Sequence, residues 1–329
     1  MGFKMCLHND AGTISAIPYA VLTLVVFGLF LVGMGVVVDA LVEVDNQMMG
    51  MTTATTPRPT ATPVPSPAPE LVQVAGGEFH SLALWSNGTV AAWGSNTHGQ
   101  CNVPAGLVAS AISAGRDHSL ALTPSGEVVA WGANYDGQCD VPADLTATAI
   151  DAGRSHSLAL RADGTVVAWG NEGYGRCNVP EGLVATKIAA GGYHSLALRA
   201  DGTVVAWGNN DDGRCNVPEG LVATKIAAGG YHSLAIRPDG TVVVWGWTGY
   251  GICDPPAGLV ATEIDAGDRY SLALTPDGEV VGWGENYDGQ CTPPPGLQAA
   301  AIAAGGHHGL AISTDGDLAE WGIVGGAPE

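Results

Sequence analysis

The chain has 329 residues and a formal net charge of −20, with 46% hydrophobic and only 13% charged residues. So acidic a chain is excluded from the usual binding to nucleic-acid phosphates, which works through lysine and arginine. Its apolar content is too high for a disordered chain and sufficient for a large buried core.

Residues 1–15 form a short polar start. Ala16 to Val38 is an uncharged run of 23 residues. At about 1.5 Å per residue a helix of that length spans roughly 34 Å, enough for a bilayer core. The reading is a single transmembrane helix. Lys4 precedes it, whereas Asp39, Glu43 and Asp45 follow, which places the carboxyl-terminal side outside the cell. A secretory signal cleaved after Ala40 is the alternative, and the length of the run argues for the anchor. Residues 39–69 lead away from the membrane, with Thr, Pro and Ala dominating from Met51 to Pro69. Proline at that density favours extended chain over packing, so this segment reads as a stalk. Val64-Pro65 echoes a dipeptide of the downstream repeats, which leaves open that the stalk supplies an outer strand to the last of them.

From residue 70 to the end the chain repeats itself. Trp-Gly pairs at Trp93, Trp131, Trp169, Trp207, Trp245, Trp283 and Trp321 recur at a step of 38 residues. Cys101, Cys139, Cys177, Cys215, Cys253 and Cys291 keep the same step, as do His80, His118, His156, His194 and His232, with His308 two steps further on. One supersecondary unit stacked on its own copies gives such a beat. Within a unit, His194 to Arg199 and Thr203 to Gly208 flank Ala200-Asp201-Gly202, the pattern of a hairpin whose Asp-Gly supplies left-handed turn geometry. Leu183 to Ala190 gives a strand before it, and Arg214 to Val217 a short fourth strand stopped by Pro218. The expected fold is all-β: a seven-bladed β-propeller of four-stranded blades, which removes exposed sheet edges by closing on itself. Pairing of the two chain ends in one blade is the expected closure.

The pattern GxxHSLALxxDGxVxxWGxNxxGQ resembles the regulator of chromosome condensation repeat over about Leu71 to Gly322. That resemblance implies a seven-bladed propeller. The short units with Val-Pro are similar to the secreted bacterial beta-lactamase inhibitory proteins of the family, which implies protein binding. Eukaryotic members act as guanine-nucleotide exchange factors for a small GTPase, which is a further alternative for this chain.

Chemistry-bearing residues are weighed against their repetition. The His-Ser dipeptides recur in most units, whereas a catalytic pair is used once, so they read as structural hydrogen-bonding groups. No enzyme activity and no cofactor are expected. The repeat cysteines occupy equivalent places in a ring, and even at ~10 Å radius neighbours stand roughly 9 Å apart, beyond disulfide reach. They are expected reduced and buried. Zinc lacks paired ligands, and the calcium-loop likeness of Asn210, Asp212 and Glu219 fails at its first position, Gly208, so no metal site is expected.

Units differ in two loops, those joining their first and second and their third and fourth strands, which antiparallel pairing places on one face. Phe79, Tyr193, Tyr231 and Arg269 come from the first set; His98, Tyr135, Asp136, Tyr174, Asp211, Asp212, Tyr250, Tyr287 and Asp288, together with Trp247, come from the second. These are the candidate partner-binding residues, since Tyr, Trp and Arg are the side chains enriched at binding hot spots. The expected function is a membrane-anchored extracellular protein-binding module that uses this face. A carbohydrate-binding protein or enzyme using the same face is the alternative.

Overall fold

The computed structural model describes residues 68–323, so the expected membrane helix, the stalk up to residue 67 and the Val64-Pro65 echo lie outside the described residues. Seven antiparallel sheets follow one another in chain order. Blade 1 is β1 (Leu71–Gly76), β2 (His80–Trp85) and β3 (Val90–Gly94); blade 2 is β4 (Ala111–Ala114), β5 (His118–Leu122) and β6 (Val128–Gly132). Blade 3 is β7 (Ala149–Ala152), β8 (His156–Leu160) and β9 (Val166–Gly170); blade 4 is β10 (Lys187–Ala190), β11 (His194–Leu198) and β12 (Val204–Gly208). Blade 5 is β13 (Lys225–Ala228), β14 (His232–Ile236) and β15 (Val242–Gly246); blade 6 is β16 (Glu263–Ala266), β17 (Tyr270–Leu274) and β18 (Val280–Gly284). Blade 7 is β19 (Ala299–Ala304), β20 (His308–Ser313) and β21 (Leu318–Gly322). The first strand of each blade packs beside the first strand of the next, and β19 returns to β1, so the domain is a closed seven-bladed propeller.

Each sheet has three strands, which corrects the expectation of four. Arg214 to Val217 is a run of turn and coil, because its donors are spent locally. Cys215 N–H goes to the Asn210 side chain, Asn216 N–H to Gly213 O and Val217 N–H to Cys215 O, while Pro218 has no donor to give. The segment instead acts as an apolar wedge between blades. Val217 and Leu221 pack with Leu196 and Leu198 of blade 4 and with Ala235 and Trp245 of blade 5. Upstream, the strand covers only Lys187–Ala190 of the expected Leu183 to Ala190, and Val184 makes a single bridge to Thr165.

The hairpin turn also works differently in detail. Gly202 alone takes the left-handed conformation (φ 84°), and Asp201 accepts hydrogen bonds from Thr203 N and Oγ1 at 2.9 and 2.7 Å. The glycine of each Trp-Gly pair is required for space as well. At Gly208 (φ 111°) a Cβ would stand 2.8 Å from both His194 Cα and Tyr193 O.

The repeat histidines join the blades. His80 Nε2 meets Ser119 Oγ at 3.0 Å, and the link recurs from His118 to Ser157, His156 to Ser195, His194 to Ser233, His232 to Ser271, and across the closure from His308 to Ser81. Ser119 Oγ donates to Gln100 O at 3.0 Å, which leaves His80 Nε2–H as the donor and fixes the tautomer. Burial pushes the His80 and His308 pKa values down to about 4 and those of His118, His156 and His232 to about 3. These are neutral structural groups, as the repetition implied. Between blades 6 and 7 the pair is replaced: Tyr270 stands for the histidine and Gly309 for the serine, and Tyr270 Oη donates to His308 O.

Among the described residues no sheet pairs strands from the two chain ends, since each sheet is built from consecutive residues. A side chain takes the place of a backbone group instead. In blades 2, 3, 4, 6 and 7 the tryptophan Nε1 donates to a main-chain oxygen of the preceding blade, as Trp131 does to Gln100 O at 2.8 Å. Trp93 of blade 1 donates to the Glu320 carboxylate of β21, at 3.1 and 3.2 Å, and Ser81 Oγ donates to the same carboxylate at 3.1 Å. Glu320 occupies a position that is Ala92, Ala130, Ala168, Ala206, Val244 or Gly282 in the other blades.

The repeat cysteines carry free thiols, as expected, but each is half-buried where full burial was expected. Each Sγ faces a backbone oxygen six residues upstream, as Cys101 faces Ser95 O at 3.2 Å. Desolvation raises the pKa of Cys139, Cys177, Cys215 and Cys253 to about 11, so they are thiols rather than reactive thiolates.

Candidate functional site

The two variable loop sets share one end of the propeller, and their aromatic side chains meet. Tyr174 to Tyr193 is 6.4 Å between ring centroids, Tyr193 to Tyr231 5.6 Å, Tyr231 to Trp247 5.8 Å, Trp247 to Tyr250 5.5 Å and Tyr250 to Tyr287 5.7 Å. Six rings therefore form one unbroken arc over blades 3 to 6. Edge-on and tilted contacts of this kind are the favourable arrangements of aromatic quadrupoles. Phe79 lies apart, stacked on His307 at 5.0 Å, and His98 with Tyr135 forms a third, edge-on pair at 5.6 Å.

Two of the arc's members are held by strained backbone. Tyr174 and Tyr250 sit at φ 61° and 56° within the turns Gly173–Gly175 and Gly249–Gly251. A left-handed tyrosine is uncommon, and glycine on both sides gives the chain room to reverse so sharply. Both rings are exposed.

Arginines interleave with the rings. Arg154, Arg176 and Arg214 stand 5.4 to 5.6 Å from the Tyr193 centroid; Arg214 and Arg269 flank Tyr231 at 5.2 and 5.4 Å; Arg269 lies 5.8 Å from Trp247. Cations at such distances from ring faces are attracted by the quadrupole, more strongly when desolvated. Arg176 and Arg214 are buried at 3% exposure. Their guanidinium groups bond to Gly192 O and Gly230 O across the blade junctions, both at 3.3 Å.

These two arginines were missed as site residues by the sequence reading. The signal was a departure from the repeat: Gln100, Gln138 and Gln290 hold the phase that Arg176 and Arg214 occupy. The glutamines accept the backbone N–H of His98, Asp136 and Asp288 at 2.9 Å, which an arginine cannot do. Substitution thus trades a loop-bracing acceptor for a cation placed beneath tyrosine.

The acids of the expected site are mostly engaged inside the face. Asp136 accepts from Asn171 at 2.8 Å, Asp211 from Asn209 at 2.8 Å, Asp212 pairs with Arg214, and Asp288 meets His307 Nδ1 at 2.9 Å. They brace loops. At the centre of the face, backbone N–H groups of successive blades bond to the glycine carbonyl of the next, as Arg116 N to Gly153 O and Gly192 N to Gly229 O, so the floor is fixed. No group of three or more metal-ligating side chains occurs among the described residues.

A closed ring of seven antiparallel blades in chain order defines a β-propeller. The chain belongs to the family of the Regulator of chromosome condensation (RCC1) repeat, which matches residues 71–100, 109–138, 147–176, 185–214, 223–252 and 261–290. Among solved structures it is similar to the entire ectodomain of the Physcomitrella patens receptor kinase CR4, 25% identical over 78% of this chain and 75% of that one, with TM-score 0.66. It is also similar to the ectodomain of the Arabidopsis thaliana receptor kinase ACR4, at 24% identity, 80% and 100% coverage and TM-score 0.63. Yeast RCC1 (Prp20), solved bound to Kap60, is 20% identical over 78% of this chain and 81% of that one, with TM-score 0.63. No curated protein sequence matches.

Proposed function

We propose that this protein is a non-enzymatic binding module that engages another protein through the arginine–aromatic face, held outside the cell by a membrane anchor at Ala16 to Val38. The observation that carries the reading is the unbroken arc from Tyr174 to Tyr287, assembled from both loop sets of four blades. Such a surface offers large contact area from side chains already fixed by their neighbours, so little entropy is lost on binding. The likeness to receptor-kinase ectodomains agrees with an extracellular propeller. Stacking of a sugar is disfavoured at Tyr193 and Tyr231, whose surroundings are taken by the protein's own guanidinium groups.

The test is quantitative capture of a partner by the full chain. Replacing Trp247 or Tyr250 by alanine is expected to weaken binding ten- to a hundred-fold, roughly 1 to 3 kcal/mol, with thermal unfolding unchanged. Asp163→Ala or Asp239→Ala, in the hairpin turns of the opposite face, leaves it intact. Equal losses from both faces, or none from the aromatic face, refute the assignment.

A further inference from the structure

The centre of the loop face is a cavity of about 90 Å³ at the mouth of the propeller's channel, walled by the first-to-second-strand loops of all seven blades. Four charged groups line it, Glu78, Arg116, Arg154 and Asp268, and they are unequally satisfied. Glu78 pairs with Arg116, which also meets Asp117 beside the mouth. Arg154 and Asp268 remain: neither side chain has an ion-pair or hydrogen-bond partner among the described residues, though both line the cavity. Arg154 is held in place against Tyr193, 5.4 Å from its centroid, and Asp268 lies over Gly230.

Between these two, at the same ring position in blades 4 and 5, stand Gly192 and Gly230. They are packed so closely that a Cβ on Gly192 would come within 2.9 Å of Gly230 Cα. The floor between the two charges is therefore bare backbone, and its N–H groups are already bonded to Gly229 O and Gly267 O at 3.0 and 3.1 Å. A ligand gains nothing from that floor except close approach. It gains charge pairing at the two ends, one end basic and one acidic.

We propose that this mouth is the specificity subsite of the binding face, and that it takes a loop of a partner protein carrying one acidic and one basic side chain, the acid on Arg154 and the base on Asp268, with small residues between them over Gly192 and Gly230. This rests on the protein-binding reading above. A ligand of one charge sign meets a like charge at one end of the mouth, an arrangement that rejects wrong partners more strongly than it rewards right ones. The bipolar pattern also suits a chain of net −20, because a match of opposite charges at close range needs no favourable long-range field.

The probes are three capped hexapeptides: Ac-Gly-Glu-Gly-Gly-Lys-Gly-amide and its two versions with Gln in place of Glu or of Lys. Binding to the full chain is measured by isothermal titration calorimetry at low ionic strength. The bipolar peptide is expected to bind at least ten-fold more tightly than either single-charge version. Arg154→Gln should abolish the advantage given by Glu and keep that given by Lys; Asp268→Asn should do the reverse, and Arg154→Lys should retain part of the Glu preference. Equal binding of the three peptides, no binding of any, or substitutions that act without regard to peptide charge overturn the proposal. If the peptides fail while Trp247→Ala still reduces partner capture, the subsite is lost and the binding face stands. If Trp247→Ala also leaves capture unchanged, the face itself is lost.

Discussion

Glu320 is the residue on which the ring's closure turns. Its carboxylate, half-buried and with its pKa raised by desolvation, receives the Trp93 and Ser81 hydrogen bonds that a main-chain oxygen accepts elsewhere. Glu320→Leu leaves two donors without a partner and is expected to cost ~1 to 3 kcal/mol for each one that stays dry, read as a fall in thermal unfolding temperature. Glu320→Gln keeps an acceptor and should lose less; equal losses from the two refute the hydrogen-bonding role. The histidine links make a second prediction at this scale. His80, His118, His156, His232 and His308 have folded pKa values of about 3 to 4, and burial lowers that of His194 well below the usual value too, so below the unfolded value near 6.5 the unfolded chain binds more protons. Their stabilisation is complete above about pH 6.5 and is lost as pH falls toward 4. Asp151 and Asp265 oppose this, because burial raises their pKa values to about 6 and 7 and the folded chain then holds the extra protons up to those values. Burial also raises the pKa values of Glu78 and Glu320, yet six histidines outweigh these four carboxyls, so stability should decline on acidification from pH 6.5 to 4 by about 1.4 kcal/mol per pH unit for each net proton. Urea unfolding at successive pH values checks the sign, and a flat or rising profile contradicts it.

At the scale of the element, the exception between blades 6 and 7 shows how one link is rebuilt. Tyr270 fills the place of a histidine and reaches His308 O, and Gly309 lacks the serine side chain because a Cβ there would run into the Trp321 ring. Gly309→Ser alone should overpack and destabilise by ~1 to 3 kcal/mol. Tyr270→His alone loses the tyrosine's fill and finds no serine. The double variant restores the pair used in the other blades and should recover much of both losses, a coupling of ~0.5 to 3 kcal/mol measurable by denaturant titration. Simple additivity would show that the two positions are independent. The strand ends and hairpins were legible from Asp-Gly and Trp-Gly spacing. The fourth element was not, because Arg214 to Val217 has strand-like composition while its N–H groups close local turns, and a composition pattern does not say where donors go.

At the scale of the whole molecule, topology is the property to test. Protease added to intact cells is expected to release the propeller by cutting between Met51 and Pro69, where proline and threonine oppose packing. Protection of that segment until lysis places the propeller inside and favours the exchange-factor alternative. The number of blades, the reduced cysteines and the side of the ring that carries variable residues were all determined by the sequence, since a strict 38-residue period fixes equivalent positions and seven-fold symmetry fixes their separation. What period alone could not decide is what happens where symmetry breaks. Glu320 replacing a carbonyl, Tyr270 paired with Gly309, and Arg176 and Arg214 sliding beneath the tyrosines of the next blade all depend on contacts between different blades. Only the packing of blade against blade brings those residues together, and for Glu320 and Trp93 only the closure of the ring, because each blade leaves its side-chain donors and rings to be met by its neighbour.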